Sequence, residues 1–183
     1  MNSPTEMLEA EHRVIARIVG ITPLLAERLE EGGVIKPDIL QGIVEFMRIY
    51  ADKCHHGKEE DLLFPALGEK GVPMQGCPIG ALVADHVSGR SLVRRLAESA
   101  EAYVRNEPEA YEGLIGSLRG IADLYPGHIW KEDYLLFPMT NKVLNPDELD
   151  ALYSEFEKVD LRIGHDSLER LARLAGDLER QFG

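Results

Sequence analysis

The chain has 183 residues, a length that fits one domain with a buried core. Its composition, 44% hydrophobic and 28% charged, is ordinary for a globular protein. A formal net charge of −12 argues against nucleic acid and against anionic membranes as partners, because both bind basic surfaces.

Two further features limit the class to which this protein can belong. No apolar run approaches the roughly 18 residues that span a bilayer, and the first residues lack the basic and apolar regions of a secretory signal. We therefore expect a cytoplasmic protein. Cys54 and Cys77 should be free thiols, since neither belongs to the Cys-x-x-Cys pair of a zinc or redox site.

The N-terminal segment predicts a first helix. Ser3, Pro4 and Glu6 form a start signal, with Ser as the N-cap, Pro at the first helical position and Glu three residues after the cap. An apolar series at helical spacing follows and includes one histidine: Leu8, His12, Ile15 and Val19. His12 should therefore face the core, while Pro23 should kink or interrupt the helix.

A second helix is predicted from near Pro37 to about Leu67. Its apolar face includes two polar residues, His56 and Glu60, which are four positions apart. Side chains at i and i+4 lie on one side of an α-helix, so this pair can bind one point in space.

The next helix follows a turn-rich loop at residues 68–78, which contains several Gly and Pro residues. Pro78 should open this third helix, and the break at 106–108 should end it. One histidine, His86, lies on its apolar stripe.

The fourth helix has a long apolar stripe between residues 114 and 139. His128 and Glu132 lie on that stripe and repeat the i, i+4 spacing of the second helix. Pro126 predicts a local kink just before this pair.

After residues 145–147 the pattern predicts one or two further helices, to about residue 181, with a weak point at 164–166. No strand pattern occurs. We therefore predict an all-α protein, an up-and-down four-helix bundle with one or two additional C-terminal helices. The whole chain, 1–183, should form one domain, with a bundle at about 4–142 and a C-terminal extension at about 147–181.

Four histidines on the apolar stripes of four successive helices indicate a metal site. Inward residues of an up-and-down bundle converge where they lie at one level, and unpaired polar groups in an apolar core are costly unless a metal satisfies them. The predicted ligands are His12, His56, Glu60, His86, His128 and Glu132. A nitrogen and oxygen ligand set suits iron, with manganese or zinc as alternatives.

Other readings stay open for single residues. A lone histidine on an apolar stripe is usually a hydrogen-bonded core residue, and a single His-x-x-x-Glu occurs by chance on surface helices. His55 lies about 100° around the helix from His56, so solvent exposure is favoured over ligation. Glu59 and Asp133 are ambiguous, and Asp133 competes with its neighbour Glu132 for a bridging role.

The ligand pattern resembles that of the hemerythrin-like (HHE cation-binding) family. The resemblance spans residues 12–138 and rests on His12, then the His56 and Glu60 pair, then His86, then the His128 and Glu132 pair. It implies a four-helix bundle with an oxygen-bridged, non-haem di-iron centre. By the same resemblance, His12 and His56 would bind one iron, His86 and His128 the other, and the two glutamates would bridge both.

One departure from the family pattern bears on function. Oxygen-carrying members resemble five-histidine sites with two histidines one turn apart on the third helix, whereas the neighbours of His86 at that spacing are Leu82 and Arg90. A four-histidine site with two bridging carboxylates and a bridging oxygen would leave about two coordination positions open on two octahedral ions. More open positions favour chemistry at the metal, such as peroxide breakdown, over reversible oxygen storage.

The resemblance leads to two hypotheses of function. The first is a cytoplasmic di-iron protein that interacts with O₂, peroxide or NO, in oxidative or nitrosative stress response or in sensing. The second is an iron- or oxygen-responsive regulatory or interaction module without turnover, whose output passes through a protein partner. The sequence assigns no catalytic acid or base and indicates no particular protein partner.

Overall fold

In the computed structural model, residues 3–183 are described, and all regular structure among them is helical. The helices in chain order are α1 (Pro4–Glu30), α2 (residues 37–69), α3 (Ile79–Val104), α4 (residues 110–143), α5 (Pro146–Ile163) and α6 (His165–Phe182). The predicted all-α class is confirmed, and both C-terminal helices are present. None of the helices in the described part of the chain is long and apolar enough to cross a membrane.

The first four helices pack in a ring. Helix α1 contacts α4, α4 contacts α3, α3 contacts α2, and α2 closes the ring against α1. The two C-terminal helices lie outside this ring, where α6 packs mainly on α1 and α5 contacts α1, α2 and α6. The predicted four-helix bundle with added C-terminal helices is therefore the observed architecture.

The helix ends follow the local signals in the sequence. Ser3 and Glu6 form the expected capping box at the start of α1, and Asn145 and Glu148 form a second one at the start of α5. Gly164 separates α5 from α6 with a φ of 98°, in the left-handed region that favours glycine.

The interruption expected at Pro23 does not occur, and α1 runs continuously through it. Pro23 has no N–H to donate to the carbonyl oxygen of Val19. The hydroxyl group of Thr22 donates to that oxygen instead, at 2.8 Å. This side-chain bond lets the helix continue past a residue that usually breaks it.

Parts of α2 and α4 are π-helical rather than α-helical. In α2 these parts are Met47–His56 and Glu59–Leu63, and in α4 the part is Glu132–Leu136. A π-helix has i→i+5 hydrogen bonds and more residues per turn than an α-helix. The i, i+4 rule used to place side chains on a helix face therefore does not hold within these parts.

The core consists of two apolar clusters with a polar layer between them. On α1, Leu8 belongs to one cluster and Ile15 to the other, and the same division recurs on α2, α3 and α4. We call the polar residues between the clusters the histidine–carboxylate layer; they are His12, His55, His56, Glu59, His86, His128 and Glu132, all of them buried. The bundle thus encloses this layer from both sides.

The packing of α5 allows the single-domain prediction to be tested. Phe156 is completely buried in the apolar cluster that contains Leu8. We expect Phe156→Ala to lower the free energy of unfolding by about 3–5 kcal/mol, because it leaves a cavity in that cluster. Urea unfolding followed by circular dichroism measures the change.

The matched control is Leu161→Ala on the same helix. Leu161 is 63% exposed, so its truncation should change stability by no more than about 0.5 kcal/mol. If both variants were as stable as the wild type, α5 would not be part of the folded core.

Candidate metal centre

The histidine–carboxylate layer has two halves, which we name by their imidazoles. In the two-histidine half, the Nε2 atoms of His12 and His55 are 2.9 Å apart. Glu132 adjoins them, with its Oε2 3.0 Å from the Nε2 of His12. Ligand atoms of His12, His55 and Glu132 all lie within 4.8 Å of one another, a grouping that can hold one metal ion.

The three-histidine half is formed by His56, His86 and His128, which come from three different helices. Their ring centroids are 3.8 Å apart for His56 and His86, and 4.8 Å apart for His86 and His128. Ligand atoms of these three rings also lie within 4.8 Å of one another. This half can therefore hold a second ion.

Two carboxylates lie between the halves. Glu132 directs Oε2 at His12 and Oε1 at His128, with Oε1 3.3 Å from the Nε2 of His128. The Oε2 of Glu59 is 3.7 Å from the Nε2 of His55 and 3.4 Å from the Nε2 of His86. Each carboxylate is thus placed to bridge two ions.

Each of the five imidazoles also has a carboxylate on its outer side, next to Nδ1. The pairs and their Nδ1–oxygen distances are His12 with Asp133 (2.7 Å), His55 with Glu11 (2.9 Å), His56 with Asp52 (3.3 Å), His86 with Glu60 (2.6 Å) and His128 with Asp85 (3.5 Å). An ionised carboxylate only accepts hydrogen bonds, so Nδ1 carries the proton in the four pairs that are hydrogen-bonded, whereas the Nδ1 of His128 is near Asp85 without a hydrogen bond. A neutral ring of this kind has its lone pair on Nε2, which faces the interior of the layer. Between His12 and His55, whose Nε2 atoms are hydrogen-bonded, one Nε2 carries a proton that a metal ion would replace.

This arrangement leaves polar atoms in the interior without hydrogen bonds. They are the Nε2 atoms of His56, His86 and His128 and all four carboxylate oxygens of Glu59 and Glu132. Buried polar groups without partners are rare in folded proteins because their desolvation is not compensated. Convergent nitrogen lone pairs and carboxylate oxygens are what two metal cations require, so these residues fit such a pair.

The pKa values of the histidines differ with their surroundings. Burial lowers the pKa of His56 to about 3 and that of His128 to about 4, so both rings are neutral at physiological pH. Burial alone would also lower the pKa of His55, but the carboxylates of Glu59 and Glu11 raise it to about 10. Since metals bind the neutral ring, His56 and His128 are already in the ligating form.

The two bridging carboxylates affect each other. Burial and the neighbouring charge of Glu132 raise the pKa of Glu59. Burial would raise the pKa of Glu132 as well, but His128 and the rings that contact it hold this pKa well below its usual range. Cations between the two carboxylates would stabilise both charges at once.

The structure corrects the expected positions of His55 and Glu60. His55 is 1% exposed and points into the layer, contrary to the predicted solvent exposure. Glu60 is 27% exposed and contacts the Nδ1 of His86 from outside, while its neighbour Glu59 occupies the interior position. The physical reason is the π-helical path of α2, which displaces side chains from the faces that a 3.6-residue period predicts.

The other predicted side chains lie where the sequence suggested. His12, His56, His86, His128 and Glu132 all belong to the histidine–carboxylate layer. On α4, Glu132 points inward, whereas Asp133 is 30% exposed and contacts the Nδ1 of His12 from outside. The repeated Leu-Leu-Phe-Pro was a usable signal for the interior positions, because aligning its two copies pairs Glu59 with Glu132 and His55 with His128.

Aromatic rings shield the layer from water. Phe137 stacks on His12 with ring centroids 5.5 Å apart, and Phe64 stacks on His86 at 6.0 Å. A surface cavity of roughly 340 Å³ reaches His12 and is also lined by Asp133 and Tyr134. A cavity of similar volume is lined by His56 and Tyr125, so a surface cavity adjoins each half of the layer.

Comparisons with known proteins agree with the metal assignment. A family model described as the hemerythrin HHE cation binding domain matches residues 3–140. Uncharacterized proteins of Mycobacterium bovis and Mycobacterium tuberculosis are 24% identical over 179 residues, which cover 97% of this chain and 69% of each relative. No solved structure matches the chain. The family match includes the whole histidine–carboxylate layer, whereas α5 and α6 lie outside it.

Glu59 and Glu60 provide a direct test of this geometry. We expect Glu59→Gln to lower the metal content of both halves, because it removes a negative charge that is shared between them. Glu60→Gln should retain both metals with an affinity lower by about 10-fold to 100-fold, because it only weakens the orientation of His86.

Elemental analysis and metal titration of the purified variants measure these effects. The opposite order, with Glu60→Gln losing the metals and Glu59→Gln keeping them, would mean that an α-helical path of α2 is the correct one.

Proposed function

The chain belongs to the hemerythrin family of HHE cation-binding domains, and we propose that its histidine–carboxylate layer holds two iron ions as a binding site for O₂, peroxide or NO. The proposal rests on one observation. All five imidazoles of the layer have a carboxylate at Nδ1 and direct Nε2 inward, which is the usual arrangement around histidine ligands of a metal.

The ligand types favour iron over zinc. Structural zinc sites are closed and tetrahedral and often include thiolates, whereas this layer offers five imidazoles and two shared carboxylates. The thiol of Cys54 takes no part, since it donates to Asp160 outside the layer. Manganese would accept the same oxygen ligands but prefers fewer imidazoles.

The two halves offer unequal numbers of protein ligands. His56, His86 and His128 serve one half, and His12 and His55 serve the other. Five histidines, two bridging carboxylates and a bridging oxygen would leave about one position open on two octahedral ions, fewer than the two inferred from four histidines. We place the small ligand at the two-histidine half, because this half has fewer protein ligands, and the cavity beside His12 adjoins it.

The iron pair, when bound, would supply a redox-active centre for such a ligand. The residues of the chain itself protect the centre from water and shape its surroundings. Phe137 and Phe64 exclude bulk water from the rings that they cover, and a surface cavity adjoins His12. Asp133 both lines this cavity and accepts a hydrogen bond from the Nδ1 of His12, so it orients this ring beside the cavity.

With few open positions, ligand binding is favoured over rapid turnover. A catalyst of peroxide breakdown needs positions for more than one oxygen atom at the metal or an acid–base group beside it. Asp133 is the one acidic side chain, among those described, that lines the cavity and contacts a ring of the layer, but it contacts that ring at Nδ1, on the side away from the interior. We therefore propose reversible binding or sensing as the main role, with any peroxide decomposition slow.

Iron content and the visible spectrum test this proposal. Freshly purified protein should contain about two irons per chain and show a charge-transfer band that responds to peroxide and to dithionite. His55→Ala should lower the iron content toward one, because it removes half of the imidazoles at the two-histidine half.

The control is His165→Ala, because His165 is an exposed histidine of α6. Its iron content and spectrum should equal those of the wild type. Colourless aerobic wild-type protein without iron would refute the di-iron proposal.

Metal removal should also destabilise the fold. Binding to the folded chain alone contributes about 2.7 kcal/mol at a metal concentration 100 times Kd. For a chain of this length, we expect chelation to lower the melting temperature by about 5–10 °C. Differential scanning calorimetry before and after dialysis against a chelator measures this shift, and an unchanged melting temperature would contradict it.

A further inference from the structure

The geometry points to Asp160 of α5 as a positioning residue of the two-histidine half. We infer that Asp160 acts through Lys58 and Glu11 to hold His55 in its ligating orientation, so that α5 supports the metal centre from outside the bundle. This inference deepens the proposed function and rests on it. It concerns a residue outside the part of the chain that the family model matches.

A series of contacts leads from α5 to His55, and the first of them is a buried ion pair between α5 and α2. Lys58 is completely buried, and its Nζ lies 2.6 Å from Oδ1 of Asp160. The ammonium group is also 5.9 Å from the ring centroid of Phe156, another residue of α5. A buried ammonium is costly unless it is paired, so α5 provides compensation that Lys58 requires.

The second contact joins Lys58 to the layer. Its Nζ makes a short hydrogen bond to Oε1 of Glu11, and the other oxygen of Glu11 accepts a hydrogen bond from Nδ1 of His55 at 2.9 Å. The Nε2 of His55 then faces the Nε2 of His12 inside the layer. An unbroken series of contacts therefore runs from α5 to a proposed ligand.

The charges explain why Asp160 matters for His55. Two carboxylates share the single positive charge of Lys58, so Glu11 keeps enough negative charge to accept a strong hydrogen bond from the ring. Without Asp160, Glu11 would be the sole carboxylate paired with Lys58 and a weaker acceptor for His55. The ring would then lose part of the interaction that fixes its tautomer and orientation.

A different reading of the same cluster is a third metal site, since Glu11, Cys54 and Asp160 lie close together. Lys58 argues against it, because its ammonium group already pairs with both carboxylates. Burial also raises the pKa of Cys54, whose thiol donates to Asp160 at 3.2 Å. The cation of this cluster is therefore Lys58 itself.

The test compares Asp160→Asn with Glu157→Gln, an exposed neighbour on the same helix, and with the charge-retaining Asp160→Glu. Cobalt(II) titration followed by visible absorption reports the two metal positions separately when their affinities differ. We expect Asp160→Asn to weaken one of two cobalt equivalents by about 10-fold to 100-fold and to leave the other unchanged. Glu157→Gln should match the wild type, and Asp160→Glu should recover most of the lost affinity.

Hydrogen exchange adds a readout that does not depend on activity. Coupling between two sites is reciprocal, so metal loading should slow exchange of the α5 amides in the wild type and do so less in Asp160→Asn. Equal cobalt affinities in wild type and Asp160→Asn would overturn the inference and leave the proposed function standing. Equal loss of both equivalents, or unfolding of Asp160→Asn, would assign Asp160 a general structural role and also overturn it. A wild-type chain that binds no metal would remove the proposed function, and the inference with it.

Discussion

The desolvation of the histidine–carboxylate layer is the constraint on which the rest of the structure depends. Five imidazoles and two carboxylates lie between two apolar clusters, and many of their inward atoms have no hydrogen bond within the described chain. Such a layer is stable only if cations enter it and if its rings are held from outside. The carboxylates at Nδ1 and the stacked rings of Phe64 and Phe137 hold the imidazoles from outside. The π-helical turns direct ligand atoms into the layer, where cations can bind.

Most of the fold could be predicted because its signals are local. The capping box at Ser3, the prolines at 37 and 146 and the glycine at 164 mark helix boundaries through the chemistry of a few neighbouring residues. Pro23 shows the limit of such reasoning. Its effect on α1 is offset by the hydroxyl group of Thr22, a side-chain contact that residue propensities do not include.

The site was only partly predictable, for a reason that lies in the geometry of α2. A constant period of 3.6 residues separates His55 from His56 and aligns His56 with Glu60. The π-helical path instead brings His55, His56 and Glu59 inward and leaves Glu60 outside. Both acids therefore act on the layer, one from within and one through Nδ1 of His86. Sequence alone identifies such residues as a group, but the helix path decides which of them can contact a metal.

The same distinction explains why α5 matters although it contributes no side chain to the layer. An imidazole ligand is fixed by the acceptor at Nδ1, and the strength of that acceptor depends on its own partners. For His55 the acceptor is Glu11, whose partner Lys58 is in turn paired with Asp160. Docking of α5 and occupancy of the two-histidine half are then thermodynamically linked, because each favours the same arrangement of Lys58 and Glu11. A bundle with this linkage can report metal or ligand occupancy at a surface outside the four-helix ring, which is what a sensing role requires.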